Sequence, residues 1–183
     1  KAILHNSERL SSMVSDLIDL SRIEYGDLKL NIKNLDFNEF MDSFLVSMKS
    51  VAKKRLIELN FNPNHQGLMH ADSQALERVM NNLLDNAYKY SEAGSSVEIS
   101  TLDQGKMIKV MVSDSGVGVS SEDKEHIFDR FFRTASARAS DNKGSGLGLA
   151  IVKNLINSLN GEVGITSKKP KGSIFWFTIP KSK

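Results

Sequence analysis

The chain has 183 residues, a formal net charge of +2 and no cysteine. That length suits one well-cored domain with an appendage, and the lack of cysteine excludes disulfides, thiolate chemistry and cysteine-ligated zinc. Near-neutral charge gives no argument for nucleic acid, no apolar run approaches the roughly 20 residues of a membrane span, and nothing resembles a signal peptide. Lys168, Lys169, Lys171, Lys181 and Lys183 read as a solvated tail, because no aromatic residues interleave with them as a base-stacking site needs.

In chain order, Ile3, Leu10, Met13, Val14, Leu17 and Leu20 predict an amphipathic helix over residues 1–25, with seven-residue steps at Ile3, Leu10 and Leu17. One apolar face needs a partner. The chain begins in what reads as mid-helix, so a fragment of a longer protein is expected. Gly26 is expected to end this helix, and Leu28, Leu30 and Ile32 alternate as an edge strand does. Asp36 and Glu39 predict a capping box for a helix reaching about Lys54. Residues 57–61 alternate as a strand, and Asp72 is the expected cap of a helix ending near Tyr90.

Strands from about Val97 to Leu102 and Lys106 to Ser113 meet at a turn containing Gly105. A polar stretch from about Val119 to Lys143 holds an apolar patch of Ile127, Phe128, Phe131 and Phe132. The last helix runs from about Leu147 to Leu159, with Leu147, Ile151, Leu155 and Leu159 on one face, and two strands around Gly172 close the chain. This order predicts an α+β fold, an antiparallel or mixed sheet covered on one face by three helices.

Three stretches carry chemistry. At about 100° per residue, Asn82, Asn86 and Lys89 share one stripe of the Asp72–Tyr90 helix, while Val79, Leu83, Ala87 and Tyr90 lie a quarter-turn away toward the core. The Asn86 amide oxygen suits a magnesium ion that keeps most of its waters, and Lys89 supplies a positive charge for phosphates. The plainer alternative is an exposed polar face. Asp114 ends a strand whose Ile108, Val110 and Val112 share its face, and a carboxylate there is costly without a donor. The adenine amino group is such a donor; guanine presents an acceptor oxygen instead, which favours ATP over GTP. Gly116 and Gly118 permit a sharp turn close to a flat base, although Asp-Gly turns are common. Gly144, Gly146 and Gly148 open the last helix, whose bare N–H groups make an anion site. This is neither a Walker loop nor a dinucleotide fingerprint. The stretch before it reads as a lid, with Phe128, Phe131 and Phe132 as anchors. Arg130 and Arg133 are candidates to reach phosphates or a partner, or plain surface arginines.

Together these motifs resemble the ATP-binding domain of sensor histidine kinases, a branch of the superfamily that holds the Hsp90 chaperones, DNA gyrase and the MutL proteins. Residues 82–91 resemble the N box, 114–118 the first glycine box, 127–133 the F box and 144–148 the second glycine box. The match runs from about Leu28 onward. The first helix, with Arg9-Leu10 and residues 19–24, is similar to the second helix of the dimerisation domain. The resemblance implies a two-layer α/β sandwich of the Bergerat type, with a truncated dimerisation segment at 1–26 and a catalytic domain at 27–183.

It also implies that Asn86 holds magnesium, Lys89 the phosphates, Tyr90 the pocket wall and Asp114 the adenine amino group, with Leu147 among the nucleotide contacts. ATP-hydrolysing relatives carry a glutamate base four residues before the magnesium asparagine. Asn82 stands there, an amide that takes no proton at neutral pH, so the pocket is expected to hold ATP for transfer. None of His5, His65, His70 or His126 has the neighbours of the family's phosphoacceptor, so that histidine is expected upstream and the fragment alone is not expected to phosphorylate itself.

In the full protein the implied reaction moves the terminal phosphoryl group of Mg-ATP to a histidine, then to an aspartate on a response-regulator receiver domain. The implied assembly is a homodimer through a four-helix bundle. A cytoplasmic domain of a membrane-anchored sensor is expected, with no direct membrane or nucleic-acid contact by this segment. The alternatives are a serine/threonine kinase of the same superfamily and a non-catalytic module whose nucleotide only orders its lid.

Overall fold

The computed structural model describes residues 2–25, 28–64, 67–139, 144–168 and 171–182. Its first element, helix α1 (Ala2–Glu24), uses a different face from the one its seven-residue steps suggest. Leu20 is buried and Ile23 packs on the core. These lie in line with Met13 and Asp16 at helical spacing, on the side that meets the rest of the chain. Leu10, Val14 and Leu17 remain exposed. The side chain of Ile3 and the Gly26 terminator lie outside what is described.

The expected strand at residues 28–32 is absent. Strand β1 (Lys33–Asp36) begins later and pairs antiparallel with β3 (Leu68–Ala71), from Lys33↔Ala71 to Asp36↔Leu68. The reason is a contact distant in sequence. The Asn31 N–H donates to Asp72 Oδ2 at 2.6 Å, which takes that stretch off the ladder just where β3 ends. Strand β3, in which buried Met69 and Ala71 alternate with exposed Leu68 and His70, was not expected from sequence; four residues give too short a run for alternation to stand out.

Helix α2 (Phe37–Lys54) starts as expected, with Asp36 accepting from the Asn38 and Glu39 N–H groups. Strand β2 (Glu58–Asn62) alternates exposed and half-buried. Helix α3 (Ser73–Tyr90) is capped by Asp72, whose Oδ1 accepts from Gln74 and Ala75 N–H. Strands β4 (Ser96–Gln104) and β5 (Met107–Ser113) form the hairpin. Two short helices, α4 (Ser121–His126) and α5 (Ala135–Ala139), interrupt the stretch read from sequence as a lid. Ser120 caps α4 by accepting from Asp123 N–H, a legible signal that sequence reading passed over. Helix α6 (Gly148–Ser158) and strands β6 (Val163–Ser167) and β7 (Ser173–Pro180) follow.

The main sheet runs β2-β4-β5-β7-β6, with β2 parallel to β4 and every other pairing antiparallel. It is therefore mixed. Register sets Ile99 beside Val112, Val110 beside Phe177 and Ile108 beside Ile179, so the inward row of each strand meets the next on one face. All six are buried. They face Val79, Leu83 and Ala87 of α3 and Ile151 and Leu155 of α6, which are buried in the same core. The opposite sheet face is more open, with Lys109 Nζ 3.9 Å above the Trp176 ring. Two of the lysines near the C-terminus are tied to the domain rather than loose, while Lys169 and Lys183 lie outside the described residues. Lys168 Nζ donates to Ser113 Oγ at 3.0 Å, and Lys181 pairs with Asp103. No helix among the described residues is long and apolar enough to cross a membrane.

Candidate functional site

A cavity of about 460 Å³ opens where the C-terminal half of α3, the end of β5 and the start of α6 converge. Asn82, Asn86, Lys89 and Tyr90 line it from α3. Their neighbours Val79, Leu83 and Ala87 are buried, so the helix carries a polar stripe on one side and its core stripe beside it. Tyr90 is half-buried on the cavity wall.

Asn82 is held from two directions. Its Nδ2 donates to the Arg78 carbonyl at 2.8 Å. Its Oδ1 lies where a methyl group on Gly148 would come within 2.6 Å. Glycine at 148 thus lets the start of α6 close on α3. Around it, Gly144, Ser145, Gly146 and Leu149 complete that wall. The first recorded α6 bond is Ile151 N–H to Leu147 C=O, and no side chain caps the helix. Among the described residues the N–H groups of residues 148–150 are therefore the unsatisfied donors of a helix start, beside the cavity.

Asp114 lines the other side and is buried. Its Oδ1 accepts from Gly116 N–H at 2.8 Å and Ser173 N–H at 3.2 Å. Among the described residues, both recorded bonds use this one oxygen, which leaves Oδ2 with capacity for a ligand. Burial raises the carboxyl pKa above its ordinary value, although these two bonds and the Lys168 charge pull it down.

Five residues singled out from sequence lie off the cavity lining: Gly116, Phe128, Arg130, Phe131 and Leu147. A Cβ on Gly116 would stand 2.4 Å from the Tyr90 carbonyl oxygen, so glycine there seats the loop on the end of α3. Phe128 packs against the core and Leu147 is buried in it. Arg130 is exposed. Gly118 lines the cavity. Arg133 does too, while its guanidinium donates to the Ala137 carbonyl. Of the three expected phenylalanine anchors, Phe132 lines the cavity but Phe131 is exposed. The anchor at Phe131 is its backbone, whose N–H donates to Gly146 C=O at 2.9 Å and ties the stretch after α4 to the glycine loop.

Sequence reasoning missed Met13 and Asp16, which α1 brings to the cavity, and Asp85, Ser173 and Phe175. Nothing in the α1 pattern marks a pocket residue, whereas Asp85 lies one residue from Asn86 and was within reach. Asp16 is 3.5 Å from the Arg78 guanidinium and Asp19 is 2.5 Å from it. Burial raises the Asp16 pKa against the pull of Arg78.

The two histidines whose side chains are described stand elsewhere. His70 Nδ1 lies 3.4 Å from Asn34 Oδ1, and His126 Nδ1 lies 2.9 Å from Asp129 Oδ2, both exposed. His65 and the His5 side chain are outside what is described. Among the described residues no three histidine or acidic side chains group as a metal cluster. That donor set still accommodates magnesium held by one amide, since the ion keeps waters and takes phosphate oxygens for the rest.

The sequence profile described as "Histidine kinase-, DNA gyrase B-, and HSP90-like ATPase" matches residues 71–183. The sensor-like histidine kinase SenX3 of Mycobacterium tuberculosis is 35% identical over 178 residues, which is 97% of this chain and 43% of SenX3. The chain thus spans less than half the length of that relative. Full-length ShkA, solved in complex with AMPPNP, superposes with a TM-score of 0.86 at 26% identity, covering 100% of this chain and 38% of ShkA. Histidine kinase ThkA, solved in complex with the response regulator protein TrrA, gives a TM-score of 0.79 at 25% identity, over 99% of this chain and 50% of ThkA.

Proposed function

This chain belongs to the histidine kinase-, DNA gyrase B- and HSP90-like ATPase family as the ATP-binding domain of a sensor histidine kinase, and from that premise we propose how its cavity holds Mg-ATP and what the whole protein does with it. The observation that carries the reading is the polarity of one cavity. A buried carboxylate, Asp114, stands on one side, and Lys89, Arg133 and the uncapped start of α6 stand on its walls.

Asp114 Oδ2 accepts the adenine amino proton, while Oδ1 stays on the Gly116 and Ser173 N–H groups. Tyr90 and Gly118 frame the base. The N–H groups at the start of α6, with Lys89 and Arg133, take the phosphates. Asn86 presents its amide oxygen to magnesium, which neutralises charge on the transferring phosphoryl group. Asn82, bonded to its own helix and pressed on Gly148, has no proton-accepting group for water at neutral pH. The pocket then preserves ATP for transfer instead of hydrolysing it.

In the whole protein the acceptor is a histidine outside this segment, and the phosphoryl group passes on to an aspartate of a response regulator. The ThkA complex supports that partner class by likeness. The parent acts as a homodimer, with this domain on the cytoplasmic side. The histidine kinase relatives favour this reading over a serine/threonine kinase.

Calorimetric titration with ATP and GTP, each with and without magnesium, tests the pocket. Magnesium-dependent binding of ATP alone is expected. A folded sample that binds neither nucleotide, or both equally, overturns the assignment of Asp114 and Asn86.

A further inference from the structure

Helix α1 brings a carboxylate into the cavity. Asp16 lines it together with Lys89, Asn82 and the glycine wall of α6. Its position within the cavity follows from a chain of contacts. Asp16 lies 3.5 Å from the guanidinium of Arg78, the Arg78 carbonyl accepts from Asn82 Nδ2, and Asn82 Oδ1 abuts Gly148 at the start of α6. Asp16 therefore belongs to the side where the helix donors stand. Asp85 also lines the cavity but is exposed, so solvent and salt screen it, whereas Asp16 keeps only 27% of its side chain in water.

A fixed negative charge beside an anion site discriminates by ligand charge. Free ATP carries two more negative charges than its magnesium complex, so a nearby carboxylate opposes the free form more strongly. We propose that Asp16 is a specificity-determining residue that makes the cavity select the magnesium complex over metal-free nucleotide, with α1 as the element that supplies the charge. This rests on the phosphate side of the pocket reading. It adds a residue from a helix that the nucleotide motifs do not include.

The test compares the wild-type chain with Asp16→Asn and Asp19→Asn. Asp19 lies closer to the same Arg78 guanidinium but does not line the cavity, so its variant loosens α1 without changing the cavity charge. Each protein is titrated at low salt with Mg-ATP, with ATP in EDTA, and with inorganic tripolyphosphate in EDTA. Asp16→Asn is expected to tighten both metal-free ligands about three- to tenfold and Mg-ATP less than about twofold. Asp19→Asn is expected to leave all three within about twofold.

Unchanged metal-free affinity in Asp16→Asn overturns the proposal. So does an equal gain for Mg-ATP, and so does an Asp19→Asn result that matches it, because helix docking would then be the cause. Tripolyphosphate binding without ATP binding overturns the adenine reading alone, and the Asp16 comparison still stands on the tripolyphosphate arm. Failure of wild type and Asp16→Asn alike to bind tripolyphosphate overturns the proposal together with the anion site.

Discussion

Asp114 works against the fold that holds it. Two backbone N–H groups bond its Oδ1, yet burial still raises its pKa, so ionising it costs the empty domain stability at neutral pH. A folded pKa above the unfolded one means that this carboxyl's contribution is complete below about pH 4 and is lost as pH rises through the folded pKa. Asp114→Asn keeps an oxygen for both N–H groups and removes the charge. Without nucleotide, the variant is expected to unfold at a higher denaturant concentration than wild type at pH 7, with the gap closing toward pH 4. Its ATP affinity is expected to fall by about 1–3 kcal/mol, the range for a lost bond to a charged acceptor. A less stable variant at pH 7 would contradict the burial argument, and unchanged ATP affinity would contradict the proposed adenine contact. Asp114 was readable from sequence because its strand alternates and then ends in Asp114-Ser115-Gly116. The role of Gly116 was not, since its close neighbour Tyr90 lies on another element.

At the scale of elements, the meeting of α3 with α6 sets the cavity wall. Gly148→Ala adds a methyl group 2.6 Å from Asn82 Oδ1. A side-chain tip can turn away, and alanine is a better helix former than glycine. The unfolding free energy is therefore expected to stay within about 0.5 kcal/mol of wild type. Mg-ATP binding is expected to weaken severalfold as Asn82 swings into the cavity. Unaltered binding would show that this contact does not shape the pocket, and loss of folding would show that Asn82 cannot turn away. The long helices and the β4–β5 hairpin were legible because their apolar periods span many residues and their caps, Asp36 and Asp72, stand in the chain itself. Strand β3 and the late start of β1 were not, because a single bond from Asn31 to Asp72 decides that register across 41 residues.

The whole molecule joins α1 to the domain more closely than a boundary near residue 26 suggests. Leu20 is 1% exposed within the common core, and Arg78 holds Asp16 and Asp19. Leu20→Ala is expected to cost about 2–4 kcal/mol of unfolding free energy, as a buried leucine truncation does. If α1 were a separate appendage, the main transition would not move. The Leu10, Val14 and Leu17 face stays exposed, so the same helix has one side in this core and another left for a partner, as the proposed homodimer requires. What the sequence by itself determined is the local part: the helices with their caps and stripes, the alternating strands, the glycine loop before α6 and the order of motifs that identifies the family. Each is encoded within one stretch of chain by spacing and backbone chemistry. Only the tertiary structure decided that β2 runs parallel to β4, that Gly148 is pressed on Asn82, that Phe131 is held through its backbone, and that α1 brings Asp16 to the cavity. Those outcomes depend on which distant surfaces pack together, and no pattern confined to one segment encodes its neighbour.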